Sequence, residues 1–113
     1  MSVRREVLGD EHVDRATEGA TIDRDFQRFI TEVAWGSLWN RDELDRRTRS
    51  LVTIAILAAL DREELDLHLR ASVRIGVPTS EVMEALRHVA VYAGIPAANR
   101  AVARAKEILE GDA

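Results

Sequence analysis

Cysteine is absent from all 113 residues. Disulfides, thiolate nucleophiles and cysteine-ligated zinc are excluded with it. Proline is scarce, at two residues, and aromatic side chains make up 4% of the chain. An all-β sandwich needs β-forming side chains and frequent turns, so this composition argues against one. There is no basic stripe: the formal charge is −4, with acids and bases interspersed. Without clustered cations to displace counterions from a phosphate backbone, a nucleic-acid partner is not expected. The longest apolar run, Leu51 to Leu60, contains Thr53 and is far too short to span a bilayer, so no membrane association is expected. The opening Met1-Ser2-Val3-Arg4-Arg5-Glu6 is charged and lacks the apolar stretch of a signal peptide, which points to a cytoplasmic protein.

The chain is rich in helical periodicity. With 46% hydrophobic and 32% charged residues it has the composition of a folded domain, and its length suits one core rather than two. The expectation is therefore a single all-α domain over 1–113, a compact helical bundle at 23–110 preceded by an arm at 1–22. In the arm, Val3, Val7 and Leu8 suit one short helix, followed by a polar stretch to Thr21. An arm so poor in apolar positions is expected to dock on something else, such as a neighbouring subunit.

Asp23 to Asn40 reads as an amphipathic helix, with Asp23 as N-cap and Phe26, Phe29, Ile30, Val33, Ala34 and Leu38 at helical spacing. Gly36 and Ser37 weaken its last turn or admit another backbone. A second helix starts near Asp42 or Asp45 and runs to about Leu60. Its second half is apolar all round, the mark of a helix buried on every side, and in a domain this small that burial calls for a second subunit. Glu63 to Ile75 forms a third helix, with Leu65, His68, Leu69, Ser72 and Val73 on one face. Thr79 or Ser80 caps a fourth, striped by Val82, Leu86, Val89 and Ala90. Ala97 to Leu109 forms a fifth. The Gly-x-Pro junctions at 76–78 and 94–96 mark tight helix–helix turns.

Several side chains in this frame can carry chemistry. Glu64 and His68 are four apart and share a helix face, where a carboxylate fixes the imidazole tautomer for proton transfer. The same spacing also serves a plain surface ion pair, and a histidine on an apolar stripe also serves as a satisfied core residue. Arg46, Arg47 and Arg49 stand at the start of the apolar helix, placed to grip a carboxylate bidentately or simply to face solvent. Cations at a helix N-terminus oppose the macrodipole and call for a compensating anion, either a side chain or a ligand. Trp35 with Trp39, and His88 with Tyr92, are further pairs four apart, suited to lining a pocket or to packing. His12 has no assigned role. The three histidines have no metal-ligand spacing, and neither a phosphate loop nor a nucleophile elbow occurs. No metal site is expected.

The strings Arg46-Arg47-Thr48-Arg49-Ser50-Leu51, Glu64-Leu65-Asp66-Leu67-His68, Trp35-Gly36-Ser37-Leu38-Trp39 and Val91-Tyr92-Ala93-Gly94-Ile95-Pro96-Ala97-Ala98-Asn99 resemble, in order, the carboxymuconolactone decarboxylase family. The opening Val3-Arg4-Arg5-Glu6-Val7-Leu8-Gly9-Asp10 resembles it too, so the likeness covers nearly the whole chain. The wider superfamily includes alkyl hydroperoxidase D-like redox proteins, which carry Cys-x-x-Cys-x-x-x-His on the helix matching 61–68. Here Asp61 and Glu64 occupy the cysteine positions and only His68 is kept, so thiol chemistry does not carry over.

The resemblance implies an all-α bundle of the alkyl hydroperoxidase D-like type and a pocket near His68. It also implies assembly into rings of subunits, trimers or hexamers. The implied reaction is loss of carbon dioxide from 4-carboxymuconolactone to give the β-ketoadipate enol-lactone, without a cofactor. In that setting His68 would return a proton, oriented by Glu64. Arg49, or Arg46, would hold a carboxylate, Trp35 and Trp39 would exclude water, and His88 and Tyr92 would stabilise the enolate oxygen. The same residues also suit a related enzyme acting on another carboxylated ring, or a non-catalytic interaction protein on the same fold.

Overall fold

A computed structural model describes residues 2–17 and 22–111, and every regular element among them is helical. The all-α expectation holds. The chain packs as two units, Met1–Asp45 and Arg46–Ala113.

The first unit begins with two short helices, α1 (Ser2–Leu8) and α2 (Asp10–Thr17), hinged at Gly9, whose φ of 93° is open to glycine at little cost. The second of these replaces most of the expected irregular stretch; the rest of that stretch, 18–21, lies outside the described residues. Val3, Val7 and Val13 are buried, and Arg4 Nη1 donates to Thr31 Oγ1 at 3.3 Å. The arm therefore docks within its own unit.

The helix expected over 23–40 changes winding part-way. Residues Arg24–Ile30 form α3, and Thr31–Leu38 continue as a π-helix. The wider winding is visible where the Trp39 N–H donates to the Ala34 carbonyl, five residues back, at 2.8 Å. A period of 3.6 cannot be carried across such a change. The expected stripe of Phe26, Phe29, Val33 and Leu38 is correspondingly exposed, and Trp35 and Trp39 are the side chains that go inside.

The second unit is an antiparallel four-helix bundle: α4 (Arg46–Ala59), α5 (Leu65–Arg74), α6 (Thr79–Tyr92) and α7 (Ile95–Gly111). Arg47, in the first turn of α4, pairs with Glu81 in the first turn of α6, while Ala59 and Tyr92 line one groove at the far ends. These two helices therefore run the same way. Helices α5 and α7 return: Asp61 and Asp66, just before and within the first turn of α5, pair in the same order with Arg100 and Arg104 along α7. Alanines at 98, 101 and 105 on α7 keep its buried face low and let the backbones approach. The core is completed by Ile54 and Ala58 of α4, Leu65 and Leu69 of α5, and Val82 and Leu86 of α6.

Two expectations about faces are corrected. Helix α4 is buried along Arg49, Ser50, Ile54 and Ala58; Val52 and Ile56, with Leu60 just past its end, stay largely exposed, because three neighbouring helices cannot surround it. On α5, Val73 is 60% exposed and Ala71 is buried in its stead. Five positions C-terminal to His68, Val73 has rotated off the inner face. The glycine stops behave as the punctuation suggests, but the expected Thr79 or Ser80 cap is corrected: Thr79 is already inside α6, Pro78 is the N-cap, and no side-chain hydrogen bond caps the helix. Gly76, at φ 83°, closes α5 with the Val77 N–H bonded to the Ser72 carbonyl at 2.9 Å. Pro96 sits inside the first turn of α7, where its missing N–H costs nothing. Among the described residues no helix is long and apolar enough to cross a membrane.

These faces predict a contrast on one helix. Leu69→Ala should lower the unfolding free energy by about 2–5 kcal/mol. Val73→Ala, on the same helix, should change it by no more than about 0.5 kcal/mol. Urea denaturation of the two variants measures both.

Candidate active site

Helix α5 starts later than the periodicity suggests, at Leu65, so Glu64 is the residue that precedes it. Its carbonyl accepts the His68 N–H at 3.3 Å, closing the first turn. Glu64 is exposed and His68 half-buried, with His68 Nδ1 shut off from solvent. The imidazole thus straddles the boundary between bundle and surface, which suits a group that must exchange protons and still touch an apolar ligand.

The structure separates the three arginines of α4. Arg47 is exposed and donates through Nη2 to both oxygens of Glu81, at 3.2 and 3.0 Å. It is the solvated one, and Glu81 supplies the anion its position calls for. Arg46 is half-buried, and Arg49 is only 8% exposed, with Nε cut off from solvent. Thr53 Oγ1 donates to the Arg49 carbonyl at 2.8 Å.

Ala58 of α4 and Leu65 of α5 stand on either side of the connecting turn and line one cleft. Arg49 is nine residues before Ala58, about 13 Å along the axis. His68 is three residues past Leu65 on antiparallel α5, about 4.5 Å back along that helix.

Trp35 and Trp39 form a tilted pair in the first unit, ring centroids 5.2 Å apart at 31°, each 6% exposed. His88 and Tyr92 stack on the last turns of α6, centroids 6.3 Å apart at 15°. They border an open, apolar groove of about 340 Å³ whose other wall is Ala55, Ile56 and Ala59 of α4. Tyr92 is 85% exposed, and no residue of α5 lines this groove. Within one copy, then, the structure does not bring His88 and Tyr92 to His68.

A second concavity, of about 420 Å³, opens on the α7 side of the α4–α5 turn. Its floor is Ala58, Leu65 and Ala101, and its rim is charged. Arg104 clasps Asp66 through Nε and Nη2 at 2.9 and 2.7 Å, and Arg100 Nε meets Asp61 at 3.0 Å. The arginine beside Asp66 holds its carboxyl below the usual carboxylate range, against a smaller opposing effect of burial. Sequence reading missed the pairing of these four residues because partners some 38 positions apart leave no periodic trace. Asp61 alone left a clue, an aspartate at a helix end where glycine is usual. Among the described residues no three His, Asp or Glu side chains gather as a metal-ligand set.

Comparison with known proteins adds to this picture. A model of the carboxymuconolactone decarboxylase family matches residues 24–107. A 4-carboxymuconolactone decarboxylase of Acinetobacter baylyi is 49% identical over 97% of this chain and 84% of its own length. The nitrosuccinic acid decarboxylase npaB of Metarhizium robertsii is 44% identical over 85% of this chain and 68% of its own length. An uncharacterized 15.0 kDa protein of Paracoccus denitrificans is 31% identical over 70% of this chain and 61% of its own length.

The Asp66–Arg104 pair predicts an acid-dependent stability term. A carboxyl lowered in the folded state stabilises above its unfolded pKa and loses that contribution as pH falls through the folded value. Arg104→Met should therefore lower Tm at neutral pH. The gap from wild type should close below about pH 4, where the unfolded carboxyl protonates, and vanish as the folded one follows. A gap that is equal at neutral and acid pH in thermal melts would contradict this.

Proposed function

Because the chain belongs to the carboxymuconolactone decarboxylase family, we propose that it decarboxylates 4-carboxymuconolactone to the β-ketoadipate enol-lactone. The observation that carries this is the 49% identity to a 4-carboxymuconolactone decarboxylase over nearly the whole chain. The substrate contains its own electron sink: as the ring C–CO₂⁻ bond breaks, the electron pair passes through the adjacent C=C onto the lactone carbonyl, giving a dienolate. Protonation at the ring carbon beside that carbonyl gives the product. The protein's tasks are to hold the remaining carboxylate, to keep water from the leaving one, and to deliver the proton.

Arg49 is the proposed carboxylate grip and Arg46 its alternate. Arg49 is the more buried, and a guanidinium removed from water binds a carboxylate more strongly. His68 is the proposed proton donor, with Glu64 as its orienting carboxylate. Trp35 and Trp39 are the proposed apolar cover. His88 and Tyr92 serve as enolate donors only from a neighbouring copy.

Homo-oligomeric assembly, as a trimer or hexamer, belongs to the same proposal. The exposed Val52 and Ile56 of α4, Leu60 just past its end, and the exposed Val91, Tyr92 and Ile95 at the α6–α7 turn support it. Nitrosuccinate is the second substrate reading, favoured by the relative named for it. Like the lactone, it is a dicarboxylate with an electron-accepting group of its own.

An ultraviolet assay of purified protein on 4-carboxymuconolactone, with nitrosuccinate in parallel, tests the reaction and separates the two acids. His68→Ala should lower kcat by about 10²–10⁴-fold. Arg49→Ala should raise KM by about 10- to 100-fold, as expected for a lost charge-assisted contact. Full turnover by either variant removes the corresponding role. Light scattering on a sizing column should return the mass of a trimer or hexamer, and a monomer mass would refute assembly.

A further inference from the structure

Asp61 stands out in the second unit for its backbone. Its φ is +56°, the one positive value found outside glycine among the described residues. It ends α4 in a Schellman turn: the Arg62 N–H bonds to the Leu57 carbonyl at 2.9 Å and the Asp61 N–H to the Ala58 carbonyl at 3.1 Å. Glycine is the residue that fits this position without strain, as Gly76 does at the end of α5. A non-glycine residue kept in the left-handed region points to a use for its side chain.

That side chain reaches α7, where its Oδ2 receives Arg100 Nε at 3.0 Å. One turn further along α7, Arg104 clasps Asp66 through two nitrogens. Asp61 and Asp66 bracket Glu64, the residue that starts the turn closed by His68. The short stretch 61–66 is thus fastened to α7 on both sides of Glu64, while Glu64 itself remains exposed. Surface ion pairs add little to stability, so the pair at Asp61 does not explain the strained backbone by stabilising the fold. It does fix where the chain enters α5.

We infer that Asp61, held by Arg100, is a positioning residue: it sets the entry of α5 so that Glu64 and His68 stand in register for proton transfer. This rests on the reading of Glu64 and His68 as the proton-transfer pair. Neither Asp61 nor Arg100 touches the reacting atoms. Their effect is transmitted through the backbone of residues 61–64, and small displacements of a proton donor are costly to rate.

The test uses the full chain, on whichever of the two acids the wild type turns over. Asp61→Gly relieves the backbone and removes the clamp, and Asp61→Asn keeps a residue that tolerates this conformation while removing the charge. Arg100→Gln and Arg100→Lys break and retain the partner, and His68→Ala serves as reference. Asp61→Gly should melt no lower than wild type, yet lose kcat about tenfold with KM within about twofold. Asp61→Asn and Arg100→Gln should behave alike, and Arg100→Lys should recover most of the lost kcat.

Wild-type kcat in Asp61→Gly and Arg100→Gln, alongside an inactive His68→Ala, would overturn the positioning role and leave the reading of His68 intact. A raised KM at unchanged kcat in Arg100→Gln would overturn it too, by making Arg100 a substrate contact. Full turnover by His68→Ala would instead overturn the underlying reading, and this inference with it.

Discussion

Ile54 and Ala58 of α4 are enclosed by side chains from α5, α6 and α7, and the bundle takes its register from that packing. Interiors are close-packed, so the helices meet at heights set by interlocking side chains rather than sliding freely. With α5 antiparallel to α4, His68 lies back along the bundle from the α4–α5 turn, in the direction of Arg49. Once α6 runs alongside α4, His88 and Tyr92 fall on the side of α4 that α5 does not share. The division into two concavities follows from which helix stands between them.

Charged residues finish what packing begins. Arg47 with Glu81 ties the starts of α4 and α6, and Arg104 with Asp66 ties α5 to α7. Such partly exposed pairs contribute modestly to stability, but a bidentate arginine–carboxylate contact has strict geometry. They act as register pins between helices that the apolar core would hold together anyway. This is where the interspersed charge of the sequence goes: much of it is paired between helices rather than along one.

The apolar surface left over is equally informative. Burial of α4 on one side only, and the exposed cluster around Tyr92, leave hydrophobic area that one copy does not cover. A small helical domain has few ways to hide an all-round apolar helix by itself, because surface grows relative to volume as chains shorten. The sequence pattern of α4 and its half-covered state in a single chain are two aspects of one constraint.

Legibility in the sequence follows the range of the interaction. Helices α4 to α7, their Gly and Pro stops, and the inward lean of His68 were readable because periodicity and capping act within a turn or two. The family strings likewise survive as local words. What sequence could not decide was which of Arg46, Arg47 and Arg49 pairs with Glu81, whether His88 joins His68, and that Asp61 is fastened to Arg100. Each depends on a partner 20 to 39 positions away, brought near only when α4 to α7 pack. The π-helical winding of Thr31–Leu38 also escaped, since a fixed 3.6 period cannot register a change of period. Sequence by itself determined that the chain is helical and cysteine-free, and that Glu64 and His68 stand four apart, because these are matters of composition and local spacing. Tertiary structure alone decided which charges face each other, because a salt bridge between helices depends on their heights and not on their order.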